Sequence, residues 1–358
     1  MTRLRICCAP WLLLAASAAG ALPTTATTPT TPTTPSPVIS FAEAAQLALI
    51  DSSAPTPLLT TLLEHERTCR PASGVDSGVD RAADTDRTRC RIRALLGHVY
   101  DVDATAQQTA LDLYERSGTV AGLLPEQDMD GAYRGQLHLV PHLPVGNDAK
   151  HLRFAADALL DFDDFFARLG APVSFRWRPL GLRFFESVKR KTPSAFAVGW
   201  TVSYNVRGSL FVSAAAVRET LFHEVFHLND QSRGHWSLTA LQDTYRAIVA
   251  RCGMNQACLK PYAPDDIVVR GGTYYAFMPD NGVTEYAADV ARRYYVEQRA
   301  LLHGQQVKHP FKCGPPKTPG PGSWWSTNSS AASTTSPPAA DPTLMRFFKA
   351  ISRRGGWR

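Results

Sequence analysis

Apolar positions in the first third of the chain recur mainly at helical spacing. The clearest run is Phe41–Ile50, which has Ser40 as a predicted N-cap and Glu43 three residues after that cap. Shorter runs that also predict helices are Leu58–Leu63, Ile92–Val99 and Ala104–Tyr114. A strand-like run at residues 133–145 is interrupted by prolines. We therefore expect residues 38–145 to form a mostly helical N-terminal region.

From residue 146 onwards, helical and strand periodicities mix. Residues 150–169 have apolar side chains at helical spacing, and their aspartates are expected on the wet face. The strands predicted after this helix are Val173–Trp177, Phe196–Tyr204 and Leu210–Ser213, the last two joined by a turn at Asn205–Gly208. Two further helices are predicted at Ala214–Leu228, with Ser213 as N-cap, and at residues 282–295. This order predicts an α+β fold with a small mixed sheet and a core at residues 146–312.

Composition adds little beyond a globular chain. The 358 residues are 44% hydrophobic, which is enough for one large or two small domains. The net charge is +6, but the lysines and arginines are scattered and do not alternate with aromatic residues. We therefore expect no nucleic-acid partner, because a nucleic-acid surface concentrates its basic side chains.

The N-terminus has the pattern of a secretory signal. Residues 1–21 contain the basic residues Arg3 and Arg5, the short apolar run Ile6–Leu14 and small residues suited to cleavage. That run is too short to cross a bilayer, and no other stretch approaches the roughly 18 apolar residues of a membrane span. We expect an exported protein, periplasmic or secreted, with no transmembrane segment after signal cleavage.

Three further segments are compositionally biased. Residues 22–37 are rich in Thr and Pro and are expected to form a linker. Residues 313–342 are rich in Pro, Ser and Thr and are expected to be disordered. Residues 343–358 alternate apolar and basic side chains and predict a basic amphipathic tail.

The cysteines predict disulfides in an exported chain. Cys69 and Cys90 flank the polar stretch 71–88, which is predicted as a loop, and Cys252 and Cys258 are close in sequence. Each pair most simply forms its own bridge. Cys313 is then left over, either free or paired with Cys252 or Cys258 in another connectivity.

The strongest chemical signal is an H-E-x-x-H pattern within residues 219–230, formed by His223, Glu224 and His227. Each helical residue turns about 100°, so His223 and His227 share one face and can hold one metal ion. Glu224 lies beside the open coordination position, where a general base is needed.

A second acidic pattern supplies the expected third ligand. Glu285 and Asp289 are four residues apart on the helix predicted at 282–295, with the small residues Ala287 and Ala288 between them. Small residues favour close packing of this helix. We expect Glu285 to complete the metal site and Asp289 to accept a hydrogen bond from a ligand histidine.

Other residues are weaker candidates for the metal site. His138 and His142 are separated by Pro141, which breaks the helical spacing that a shared metal would need. Asp230 follows His227 by three residues and could reach inward, but an acid at a helix end is more often a cap or an outer-shell partner. Oxyanion donors near the site are expected among Tyr274, Tyr275 and His235.

The combination H-E-x-x-H and E-x-x-x-D resembles the gluzincin clan of zinc metallopeptidases. Residues 192–197 are similar to the N-A-F-A edge strand of the HtpX and CAAX-prenyl-protease group, with Ser194 standing where that group carries Asn. The resemblance implies a minimal zincin core with Zn²⁺ held by His223, His227 and Glu285. It also implies that a peptide substrate is added beside Ser194–Trp200 as an extra strand.

The expected function is therefore that of a zinc metallopeptidase, most simply an endopeptidase, with Glu224 as general base. Two other classes stay open. One is a zinc-stabilised scaffold at the cell surface, although a structural zinc site has no use for a general base. The other is a zinc hydrolase of non-peptide amides such as cell-wall cross-links.

Overall fold

A computed structural model describes residues 39–48, 69, 81–131, 135–168, 179–269, 271–279, 281–308 and 311. Several predicted segments lie outside these ranges. They are the helix Leu58–Leu63, the strand Val173–Trp177 and every segment predicted before residue 39 or after residue 311. Cys313 also lies outside the described residues. The described residues form helices and a curled mixed sheet, so the predicted α+β class is confirmed.

Every helix predicted within the described ranges is present, and the long helix Trp236–Cys252 is one that the sequence did not predict. Their bounds are α1 (Phe41–Ala48), α2 (Arg81–Val99), α3 (Ala104–Ser117), α4 (Ala149–Arg168), α5 (Ala214–Ser232), α6 (Trp236–Cys252), α7 (Gln256–Leu259) and α8 (Gly282–Leu302). The N–H of Glu43 donates to Ser40 Oγ, as the predicted cap requires. Helix α2 begins at Arg81, so the second half of the stretch 71–88 is helical where the sequence predicted a loop.

Among the described residues, six strands form one sheet. They are β1 (Val120–Leu123), β2 (Gln127–Asp130), β3 (Gln136–Pro141), β4 (Gly181–Ser187), β5 (Ala195–Val198) and β6 (Thr201–Asn205). The order is β2-β3-β4-β6-β5, and β1 also pairs with β4. The β1–β4 and β4–β6 pairs are parallel, and the other pairs are antiparallel.

The sheet crosses the boundary that the sequence predicts at residue 145. Strands β1 and β3 lie N-terminal to it, yet they pair with the first and last parts of β4 respectively. Helix α1 packs on β1 and β4, where a side chain at Gly122 would overlap the backbone of Leu47. The helical N-terminal region therefore also supplies half of the sheet, and residues 37–308 form one compact unit.

The β5–β6 hairpin differs from the prediction. It turns at Gly199 and Trp200, which both have positive φ, and the region Leu210–Ser213 is not a strand. Two positive φ values are the signature of a tight hairpin turn, which Asn-Gly or Gly-Gly usually marks. Tryptophan at the second position hid this turn, and the Asn205–Gly208 segment instead leads towards α5.

Aromatic side chains join the helices behind the sheet. The ring centroids of Phe162 on α4 and Phe222 on α5 are 5.3 Å apart, and those of Phe222 and Tyr295 on α8 are 4.3 Å apart. All three side chains are almost fully buried. This packing fixes α5 and α8 side by side, which matters for the side chains on their facing surfaces.

One aspartate of α4 is not on the wet face that the sequence predicts. Asp161 accepts hydrogen bonds from Arg299 Nε at 2.9 Å and from the Tyr295 hydroxyl, both on α8. Burial raises the pKa of Asp161, but these two donors outweigh it and lower the pKa below its usual value. The pair therefore ties α4 to α8.

The structure contains both predicted disulfides, Cys69–Cys90 and Cys252–Cys258. Across the residues described above, no helix is both long enough and apolar enough to cross a bilayer.

Candidate metal centre

Helix α5 carries the H-E-x-x-H residues. Ser213 Oγ accepts from the N–H of Ala216 and starts the helix, as predicted. Apolar residues of α5 are buried on most of its circumference, so its polar side chains lie in a largely apolar setting. His223 is buried, whereas Glu224 and His227 are half-buried.

Helix α8 packs along α5 and brings the two acidic residues opposite the histidines. Ala287 and Ala288 are buried between these residues, which allows the close approach that small side chains predict. The side chain of Asp289 is almost fully buried, and that of Glu285 is a quarter exposed. Glu285 therefore faces an accessible position, while Asp289 lies behind it.

Three side chains converge on one point. His223 Nε2 lies 3.0 Å from His227 Nε2 and 3.1 Å from Glu285 Oε2. His227 Nε2 lies 3.2 Å from Glu285 Oε1. No other group of three or more His, Cys, Asp or Glu within the described ranges offers ligand atoms to a common point. The structure thus brings together the three residues predicted as ligands.

This arrangement fits a zinc ion. Zinc–nitrogen bonds are about 2.0–2.1 Å long, so two ligands of a tetrahedral site lie roughly 3.3 Å apart. The three observed separations are close to that value. Two imidazole nitrogens and one carboxylate also match the donor set of catalytic zinc sites, which leave a fourth position open.

Asp289 contacts the ring of His223 on the side away from the convergence point, as the sequence predicts. His223 Nδ1 donates to Asp289 Oδ1 at 3.0 Å. This bond fixes one ring proton on Nδ1, so Nε2 is the nitrogen that faces the convergence point. Burial alone would lower the pKa of His223, but Asp289 and Glu285 outweigh it and raise the pKa to about 10. Without a metal, His223 is therefore an imidazolium between two carboxylates.

The two glutamates have opposite electrostatic settings. Burial raises the pKa of Glu224, although the neighbouring imidazoles of His223 and His227 counteract part of this effect. Burial would also raise the pKa of Glu285, yet hydrogen bonds from His223 and His227 lower it well below the usual range. Glu285 is therefore anionic, as a metal ligand would need to be, and Glu224 is the more basic carboxylate, which suits proton transfer.

Tyr275 is the one oxyanion candidate that contacts the centre. Its hydroxyl donates to Glu285 Oε2 at 3.0 Å, and its ring centroid is 6.3 Å from that of His223. Tyr274 is buried and pairs with Val268 in an isolated bridge. His235 is exposed at the start of α6. A donated hydrogen bond to the ligand carboxylate is thus a role of Tyr275 that the sequence did not predict.

The remaining candidates have separate partners. Asp230 accepts from the N–H of Ser237 at 2.8 Å and from its hydroxyl, so it caps α6 as a helix-end acid should. His138 pairs with Asp128, whereas His142 lies between Asp148 and Glu186. His138 and His142 therefore contact different acids and do not form a joint site.

Strand β5 lies at the edge of the sheet and packs against α5. The N–H of Asn205 donates to the carbonyl of Ser194, which marks that pair as hydrogen-bonded. Because hydrogen-bonded pairs alternate along an antiparallel ladder, Ala195 and Ala197 direct their backbone N–H and C=O groups outwards. In the described part of the chain no strand pairs with this outer edge, which runs beside the helix of the candidate centre.

The chain matches no known protein family, no curated protein and no solved structure in the comparisons made.

Proposed function

We propose that this chain is a zinc-dependent metallopeptidase whose centre is His223, His227 and Glu285. The observation that carries the proposal is the convergence of these three ligand atoms at separations of 3.0–3.2 Å beside the raised-pKa carboxylate of Glu224. A structural zinc site usually has four protein ligands and needs no general base. An open three-ligand site next to such a base favours hydrolysis.

A zinc ion at this position would supply a Lewis acid that polarises the scissile carbonyl and activates a water. Glu224 takes a proton from the attacking water and passes it to the leaving amine. Asp289 holds the His223 ring in the tautomer that leaves Nε2 free. The Tyr275 hydroxyl donates its one proton to Glu285 Oε2 and so helps to hold that carboxylate in place.

The outer edge of β5 supports an extended peptide as substrate. The outward N–H and C=O groups of Ala195 and Ala197 can hydrogen-bond to an added strand, and the helix that packs against β5 is α5, which carries Glu224. This edge favours a peptide over a short non-peptide amide. The N–H and the C=O of one β5 residue can each pair with a main-chain group of an extended peptide, which a short amide cannot offer.

The same proposal includes export from the cytoplasm. Its support is the signal-like pattern of residues 1–21 and the two disulfides, which persist in oxidising compartments.

The test is to compare the wild-type protein with Glu224→Gln for zinc content and for hydrolysis of a denatured protein substrate. We expect stoichiometric zinc in both proteins and a loss of hydrolysis of about 10²–10⁴-fold in the variant. Asp243→Asn, which changes an exposed acid on α6, serves as the control. Wild-type protein that binds zinc but cleaves no peptide would favour the scaffold or the non-peptide amidase, and hydrolysis retained by Glu224→Gln would remove Glu224 from the mechanism.

A further inference from the structure

The facing surfaces of α5 and α8 carry a third contact beyond the metal ligands. Along α5, Glu219 precedes His223 by one turn, and along α8, Arg292 follows Asp289 by three residues. Arg292 Nη1 donates to Glu219 Oε2 at 3.3 Å, and Arg292 Nε lies 3.6 Å from Asp289 Oδ1. The guanidinium is mostly buried, with 13% of the side chain exposed. It therefore lies directly behind the carboxylate that orients His223.

The guanidinium of Arg292 also contacts a residue outside α5 and α8. Arg292 Nη2 forms an ion pair with Asp265, which lies in the segment before Tyr275 and is only 15% exposed. Arg292 is thus shared by three carboxylates from α5, α8 and that segment. A planar guanidinium with five donors suits such a position better than an ammonium.

Asp265 is connected to Tyr275 through the backbone. Asp265 Oδ1 accepts from the N–H of Ile267 at 2.8 Å, and the carbonyl of Ile267 accepts from the N–H of Tyr275 at 2.9 Å. The Tyr275 hydroxyl then donates to Glu285 Oε2. The segment 265–275 is therefore attached to α8 at both ends, by Asp265 to Arg292 and by Tyr275 to Glu285.

We infer that Arg292 and Asp265 are positioning residues that hold Tyr275 against the ligand carboxylate of Glu285. The inference rests on the proposed metal centre. It assigns the ion pair between Arg292 and Asp265 a role in that centre, although neither residue is a predicted ligand. Asp265 touches neither a ligand nor Asp289 in the contacts above. A change at Asp265 can reach the centre along the segment that ends in Tyr275 or through Arg292 to Asp289, and the coupling of Asp265 to Tyr275 separates these two routes.

The experiment is a double-mutant cycle on zinc affinity, measured by competition with a chromophoric chelator. The proteins are the full chain and its variants Asp265→Asn, Tyr275→Phe and the double variant, with Asp266→Asn as a matched control that removes the same charge from an exposed neighbour. We expect each single variant to weaken zinc binding by about 10-fold, the size typical of lost outer-shell partners. The double variant should then also lose about 10-fold, because both changes break one path.

Several outcomes would overturn the inference. A loss of about 100-fold in the double variant would show that Asp265 and Tyr275 act independently, and wild-type affinity in Asp265→Asn would show that the ion pair has no effect on the centre. Should Asp265→Asn fail to give a cooperative thermal transition, Asp265→Glu replaces it in the cycle. An absence of zinc binding by the wild-type chain would instead overturn the metal centre itself, which keeps the two failures apart.

Discussion

The Nδ1–H of His223 donates to a carboxylate with little access to water. This contact is worth more than an exposed pair of the same length, because Asp289 is 2% exposed and its charge is not screened by solvent. Its second oxygen, Oδ2, has no hydrogen-bond partner within the described residues. The His223 ring and Arg292 are then the groups that face its other oxygen, Oδ1.

We predict that Asp289→Asn weakens zinc binding by about 10–100-fold without unfolding the chain. The amide keeps the shape of the carboxylate but loses the charge that raises the basicity of the His223 ring. Chelator competition measures the affinity, and circular dichroism reports the fold. Asp243→Asn on α6, which is distant in sequence from the centre, is the control, and equal affinities of the two variants would contradict the role of Asp289.

Zinc binding should also depend on pH in a defined direction. The pKa of His223 is raised to about 10 in the metal-free protein, so its ring carries two protons at neutral pH. Binding at Nε2 must displace one of them, and we predict the release of about one proton per zinc from this residue near pH 7, with affinity falling as pH is lowered. Titration calorimetry in buffers of different ionisation enthalpy measures the proton count, and a count of zero would contradict the prediction.

At the scale of elements, helices were more predictable than turns and long-range pairs. The spacing of His223 and His227 on one helix, and of Glu285 and Asp289 on another, follows from helical periodicity alone. The meeting of these helices was an inference from chemistry, because no local pattern encodes it. The tie between Asp161 and α8 was missed for the same reason, since its partners are more than 130 positions away in the sequence.

That tie gives a stability prediction with a pH dependence. The folded-state pKa of Asp161 is lowered, so its contribution is present above the unfolded pKa of about 3.9 and is lost as pH falls below it. We predict that Asp161→Asn lowers the free energy of unfolding by about 1–2 kcal/mol at pH 7, discounted for partial exposure, and by less near pH 3.

Denaturant unfolding at both pH values measures this difference. Asp164→Asn on the same helix is the matched control, because Asp164 pairs with Arg168 at a site where both side chains are at least half exposed. Such exposed pairs contribute about 0.5 kcal/mol or less. A pH-independent effect of Asp161→Asn would show that its charge is not what stabilises the contact.

At the scale of the whole molecule, the sheet decides which residues belong to the core. If the chain were divided at the predicted boundary, residue 145, β4 would lose its partners β1 and β3. An apolar cluster with members from before and after residue 145 would then be exposed. The buried members of that cluster are Leu124, Leu137, Leu139 and Phe185, with Met129 and Phe196 packed against them. Sequence periodicity could not show this, because short strands separated by prolines carry little signal of their partners.

We therefore predict different behaviour for two fragments. Residues 37–308 should fold with a cooperative thermal transition and bind zinc, because they contain the complete sheet and both disulfides. Residues 146–308 retain every predicted ligand but lose three strands and their apolar cluster, so they should show no cooperative transition and no stoichiometric zinc binding. Calorimetric melting and zinc analysis of the two purified fragments make the comparison. If residues 146–308 melted cooperatively with zinc bound, the metal centre would be independent of β1–β3, and the N-terminal region would be a separate addition to it.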